Sequence, residues 1–205
     1  MIDRTALLQQ LARICRSGRA EGLLPAQPTG FDALDVLLPG GGWPVGALTE
    51  LMSTVCGIGE LQLLLPALRT LVQSGRHLAW IAPPYPPYAP ALALHGIALE
   101  RLWILHPRDA QETLWAAEQA LRCPSFGAVL AWPAQASDKN LRRLQLAAEA
   151  GGNLGVLYRP VSAAQSASPA ALRLLLQPAD DGLMVQFHKV RGALGKAQRV
   201  HCALP

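Results

Sequence analysis

The segment Ser53-Thr54-Val55-Cys56-Gly57-Ile58-Gly59-Glu60-Leu61-Gln62 has the order of a phosphate-binding loop. A strand-like run, Ala47 to Met52, precedes it, and a helix-like run, Leu61 to Gln73, follows. Strand, glycine loop and helix is the arrangement of a P-loop. Its chemistry needs Gly-x-x-x-x-Gly-Lys-Ser/Thr: backbone N–H groups cradle phosphates, the lysine neutralises charge and the hydroxyl holds magnesium. Aligned on Gly59, the first glycine becomes Thr54, the lysine Glu60 and the hydroxyl Leu61. A carboxylate there repels a triphosphate. The acids that would position metal and water are missing too. The strand Ala128 to Ala131 ends in Trp132, and the strand Leu78 to Ile81 runs into Ala82-Pro83-Pro84. Phosphoryl transfer leans on all these parts. The pattern therefore predicts a degenerate loop (Gly57, Gly59, Glu60), no enzyme and no cofactor. A loose nucleotide seat built from backbone N–H groups alone is the alternative.

Other chemistry is weaker still. His77, His95, His106, His188 and His201 show no metal-ligand spacing, and no Gly-x-Ser-x-Gly occurs. Cys15, Cys56, Cys123 and Cys202 are scattered, with no Cys-x-x-Cys pair, which reads as reduced thiols in the cytoplasm. Two basic clusters are candidates for contact with DNA phosphates. Lys139, Arg142 and Arg143 share one side of a helix, and Lys189, Arg191, Lys196 and Arg199 crowd a last hairpin with His188. The alternative for both is a solvated face. For a protein interface the candidates are Leu7, Leu11 and Ile14 on an N-terminal helix, with Trp43, Tyr85 and Tyr88. Prolines hold both tyrosines in the run Pro83 to Pro90. Trp80 and Trp103 read as core.

These groups need a scaffold, and the composition supplies one. The chain has 205 residues, 51% hydrophobic and 16% charged, which suits a sizeable core. A net charge of +4 permits an acidic partner without requiring one. No run approaches the ~18 apolar residues of a membrane span, and the N-terminus lacks the order of a signal peptide. Ile2 to Arg16 reads as a helix and Gly22 to Pro28 as a linker, giving a division into 1–28 and 29–205. From Thr29 onward, apolar strands alternate with helices. Strands are expected at Leu78–Ala82, Leu102–Leu105, Ala128–Trp132 and Leu154–Tyr158. Asp109 and Ser137 cap the two longer helices, and Leu61 to Val72 forms another in which Pro66 makes a kink. That alternation predicts a mostly parallel sheet flanked by helices. Alternating strands after Arg159 predict antiparallel hairpins at the C-terminal end.

The body resembles the RecA superfamily. Thr29-Gly30-Phe31-Asp32-Ala33-Leu34-Asp35 followed by Gly40-Gly41-Gly42-Trp43-Pro44-Val45-Gly46 is similar to the approach to RecA's nucleotide-binding core. The closer resemblance is to the ImuA family, also described as SulA-like. It is carried by Leu37 to Pro44, Gly57 to Leu68 and Ile81 to Tyr88. It implies a RecA-like core and a cytoplasmic, nucleoid-associated accessory protein of SOS-induced translesion synthesis and mutagenesis. The partners so implied are an ImuB-type polymerase homologue, with RecA, a DnaE-type polymerase, single-stranded DNA and another copy of the chain as further candidates. The runner-up is SulA, the SOS inhibitor of cell division that binds FtsZ, similar over Leu63 to Leu68 and Ile81 to Pro84. The segment Thr29 to Gly46 favours ImuA. A third reading is an ATP-dependent DNA-binding protein.

Overall fold

The computed structural model describes residues 24–191 and 198–204. The helix expected over Ile2 to Arg16, with Leu7, Leu11 and Ile14, lies outside the described residues, as does Lys196.

An eight-stranded mixed sheet organises the chain. Its strands are β3 (Ala47–Ser53), β4 (His77–Ile81), β5 (Leu102–Leu105), β6 (Phe126–Ala131), β7 (Leu154–Pro160), β8 (Leu172–Ala179), β9 (Gly182–Val190) and β10 (Arg199–Ala203), in the order β10-β9-β8-β3-β7-β6-β4-β5. From β8 to β5 every pairing is parallel, while β8–β9 and β9–β10 are antiparallel. β1 (Ala26–Gln27) and β2 (Trp43–Pro44) form a separate antiparallel ladder. That ladder ties part of the supposed linker to the body.

Among the described residues the α-helices are α1 (Asp32–Asp35), α2 (Leu65–Gln73), α3 (Ala89–Leu94), α4 (Ala110–Arg122) and α5 (Asp138–Gly151). Their starts follow local chemistry. The Asp109 carboxylate accepts from the Glu112 N–H at 2.8 Å, and the Ser137 hydroxyl from the Asn140 N–H at 3.3 Å. Both side chains satisfy a helix donor that has no carbonyl partner. α2 differs from the expectation of a helix from Leu61. Residues 60–64 are turns, and Pro66 sits in the helix's first turn instead of kinking its middle. A proline there loses no hydrogen bond.

Apolar residues pack on both faces of the sheet. Leu64, Leu68, Leu92 and Ile97 join Leu78, Trp80, Leu130 and Val156 on one side. Ala117, Leu121, Leu141 and Leu144 join Leu48, Ala79, Val129 and Leu157 on the other.

Three expectations need correction. Trp43 is 0% exposed, so it is core and not an interface residue. Trp103, read as core, is 58% exposed, because β5 is the edge strand. The RecA-like core is not supported. Its distinguishing element was the P-loop, and here the helix begins five residues after Glu60, so no helix N-terminus follows the loop directly.

Candidate functional site at the carboxyl ends of the parallel strands

Because β3, β4, β5, β6 and β7 run parallel, the segments leaving them emerge at one end of the sheet, where α/β proteins place ligands. The loop after β3 is the first of these. Gly57 and Gly59 have φ of +86° and +102°, a backbone region that suits glycine. The turn aims the N–H groups of Gly57 and Ile58 at one carboxylate, that of Glu60, each at 2.8 Å. Glu60 is 8% exposed. Its charge occupies the position of an anionic ligand in a nest of backbone donors. The loop therefore binds its own side chain.

The neighbouring strand ends are closed by aromatic rings. Trp132 stacks on Tyr158 with centroids 4.4 Å apart, and Trp80 meets Trp132 edge-on at 6.3 Å. The Tyr158 hydroxyl is held well above the usual tyrosine range, first by burial and then by the Glu60 charge. It stays neutral near pH 7. Ala82, the residue directly after β4, has a φ of +55°, a strained value for a residue with a Cβ. The proline run follows and leaves Tyr85 68% and Tyr88 72% exposed. This end of the sheet thus combines an internally filled anion seat with an aromatic rim. Among the described residues no group of three His, Cys, Asp or Glu could hold a metal.

We expect Glu60→Lys to lower stability by about 3 kcal/mol, because two charge-assisted hydrogen bonds vanish. Glu60→Gln keeps an acceptor and should cost about half as much. Urea unfolding measures both, and equal stability of all three proteins would refute the internal-ligand assignment.

The basic residues are dispersed. Lys139, Arg142 and Arg143 lie on α5, and Arg143 is held by Glu118. Lys189 donates to the Ser168 carbonyl at 2.6 Å, and burial, with the charges of Arg191 and Arg173, lowers its pKa. Arg191 and Arg199 are exposed.

The sequence reading missed one cluster entirely. Glu50, fully buried in β3, accepts from Arg173 Nε at 2.6 Å, Ser168 Oγ at 2.8 Å and Arg159 Nη1 at 3.1 Å. Arg173 also donates to the carbonyls of Ala163 and Ser166. The network pins the 161–168 segment over β3 and β8. Its signal was a carboxylate in the middle of an apolar strand, which has to find a partner when buried.

Comparison with known proteins gives a consistent family. The family model described as Cell division inhibitor SulA matches residues 46–155. The Cell division inhibitor SulA of Edwardsiella piscicida is 34% identical over 98 residues, 48% of this chain and 58% of that protein. That of Pectobacterium atrosepticum is 35% identical over 106 residues, 51% of this chain and 63% of that protein. The matches therefore span about three fifths of those relatives, 58% and 63%. The crystal structure of SulA from Pseudomonas aeruginosa covers 55% of this chain and 97% of its own, with 30% identity and a TM-score of 0.46.

The family model and the two relatives overturn the ImuA resemblance and what it implied. The partners ImuB, RecA, a DnaE-type polymerase, single-stranded DNA and a further copy are withdrawn with it, together with translesion synthesis and mutagenesis. The reading of Lys139, Arg142, Arg143, Lys189, Arg191 and Arg199 as DNA contacts loses its partner. The segment that had favoured ImuA, Thr29 to Gly46, lies almost wholly outside the match, and one of its glycines, Gly42, has a packing explanation. A Cβ on Gly42 would stand 2.2 Å from the Gln27 carbonyl oxygen. The β1–β2 ladder needs that close approach.

Proposed function

We propose that this chain, which belongs to the SulA family, is a non-catalytic inhibitor of cell division that acts by binding FtsZ. One observation carries the reading. The family match over 46–155 contains both the self-filled loop and the exposed tyrosines, so the shared region offers a protein surface where a nucleotide enzyme would offer a pocket. The degenerate loop supports the absence of turnover: it has no lysine, and Glu60 sits in its anion seat. Tyr85 and Tyr88 are the contact residues we assign, since large rings on a proline-stiffened segment bury area at little entropic cost. Among the described residues no helix is long and apolar enough to cross a membrane.

The test is binding of purified FtsZ by the full chain, alongside FtsZ polymerisation. Tyr85→Ala and Tyr88→Ala should each weaken binding about 10-fold or more, the scale of an aromatic hot spot. Their far-UV spectra should not change, because both rings project from the surface. Failure of the unaltered chain to bind FtsZ would overturn the reading. Full-strength binding by both variants would move the contact elsewhere.

A further inference from the structure

The two edges of the sheet are built differently. At one edge, β10 carries Arg199 and His201 at exposed positions, and His201 Nε2 lies 2.8 Å from the Asp181 carboxylate. Charge on an edge strand discourages another strand from adding to it. At the other edge, β5 reads Leu102-Trp103-Ile104-Leu105, with no charged residue, proline or glycine. Trp103, Ile104 and Leu105 are all exposed, and so is Leu99 just before the strand. Among the described residues β5 pairs with β4 alone, in a register that runs without a shift. Apart from its length of 4 residues, nothing within the strand blunts this edge.

The backbone groups left over at β5 can be identified. The Leu105 carbonyl accepts from the Ala82 N–H at 2.9 Å, so residue 105 turns its backbone toward β4. Backbone direction alternates along a strand, so residue 103 does the same, and the N–H and carbonyl groups of Leu102 and Ile104 point away from the sheet. Side chains alternate between the faces. Ile104 stands beside Trp80 on the face packed by α2 and α3, while Trp103 and Leu105 stand beside Ala79 and Ile81 on the face of α4 and α5. The Trp103 indole N–H donates to His77 Nδ1 at 3.4 Å, which steadies the ring. The charges nearby are mostly committed. Arg101 donates to the Gly75 carbonyl at 2.7 Å, Arg108 pairs with Glu112 at 3.2 Å, and Asp109 caps α4. Glu100 and His106 are exposed at opposite ends of the strand.

We propose that the β5 edge is a second contact for the protein partner, which adds an extended, uncharged segment to the sheet as a further strand. The backbone of that segment pairs with the outward groups of Leu102 and Ile104. Its side chains alternate between Ile104 on one face and Trp103 and Leu105 on the other. A second copy of the chain suits the edge less well. The strand offers such a pairing 4 residues from each copy, against roughly 20–30 a side in a stable interface. An extended segment needs no such area, because main-chain hydrogen bonds supply much of its affinity. The edge also adjoins the aromatic rim. Ala82, bonded to Leu105, leads into the proline run that bears Tyr85 and Tyr88, so a strand leaving β5 at this end meets the contact already assigned to the partner. The identity of the partner rests on the proposed FtsZ binding; strand addition at this edge does not.

Two readouts separate those dependencies. The first is fluorescence anisotropy of a labelled, uncharged peptide of Thr-Val repeats with the full chain. The peptide should bind, and added salt should leave its affinity unchanged, because no ion pair forms. A fully N-methylated copy of the peptide should not bind, since it has no donor for the ladder. Ile104→Pro removes an outward N–H that β4 does not use, a change edge strands tolerate, and should weaken binding about 10-fold or more. Ile104→Lys keeps the backbone, places a charge on the edge and should weaken binding similarly. Far-UV spectra of both variants should match that of the unaltered chain. Absence of peptide binding by the unaltered chain, or full-strength binding by both variants, would overturn the edge assignment. The second readout is FtsZ affinity of the same proteins. A drop in both assays supports the proposal. A drop for peptide with FtsZ affinity intact overturns the choice of partner. A dimer in sedimentation that Ile104→Lys dissociates gives the edge to a second copy and overturns the proposal as well. If the unaltered chain binds peptide and no FtsZ, the proposed function fails while strand addition at β5 stands.

Discussion

Replacing Glu50 by alanine is expected to lower the unfolding free energy by about 3–5 kcal/mol. The carboxylate is the counter-charge for Arg173, whose side chain is almost fully buried, and for Arg159. Without it Arg173 remains out of water with only carbonyls and a thioether to receive its donors. A buried ion that loses its partner costs far more than the intact pair contributes, because the desolvation penalty is no longer offset. The companion variant Glu50→Leu/Arg159→Met/Arg173→Met removes all three charges and should recover most of the loss, since apolar side chains of similar volume need no counter-ion. A double-mutant cycle in urea measures the coupling. A loss below about 1 kcal/mol for Glu50→Ala would contradict the premise that the network is dry. The cost should also be local. The segment over 161–168 is held by Arg173 through two carbonyls, so amide exchange there should accelerate before the rest of the sheet responds.

Trp43→Ala should cost about 3–5 kcal/mol, the range for removing a buried aromatic ring. Trp43→Phe should cost less than about 1.5 kcal/mol. The contrast follows from the indole nitrogen, which has no hydrogen-bond partner among the described residues, so phenylalanine sacrifices ring volume but no bond. Thermal or urea unfolding of the two variants settles the point. If Trp43→Ala kept full stability and lost partner binding instead, the original interface assignment would return. The outcome matters because the glycine-rich stretch around Trp43 was the argument for ImuA over SulA. A stretch whose tryptophan is core and whose Gly42 allows two backbone segments to touch explains itself by packing. It then carries no weight as a nucleotide-binding signature.

The same logic applies to the loop after β3. In the sequence, Glu60 reads as the missing lysine of a phosphate site, and the reading stops at repulsion. In the structure that carboxylate turns back on Gly57 and Ile58 and takes the donors a phosphate would have used. The difference is one of geometry over a few residues. Spacing shows which groups are near in the chain, and only the positive φ of Gly57 and Gly59 shows that the two N–H groups converge on Glu60.

Local chemistry was legible without coordinates. Asp109 and Ser137 declared the starts of α4 and α5, because a short polar side chain before an apolar-periodic run has one favoured hydrogen bond to make. The proline run after β4 declared a stiff, exposed segment, and Tyr85 and Tyr88 are indeed at the surface. Exposure of the tryptophans was decided by tertiary structure alone. Trp43 stands in a glycine- and proline-rich stretch and Trp103 in an apolar run, yet the first is core and the second exposed. Strand order made the difference: β5 lies at the edge of the sheet, and the chain contains nothing local that says so. The pairing of Glu50 with Arg159 and Arg173 is likewise tertiary, since more than a hundred residues separate the acid from its partners (109 and 123). The sequence by itself determined which residues could cap, turn, stiffen or repel, because those effects act within a few bonds. Which charges meet and which rings face water depend on how strands are ordered, and only the folded sheet decided that.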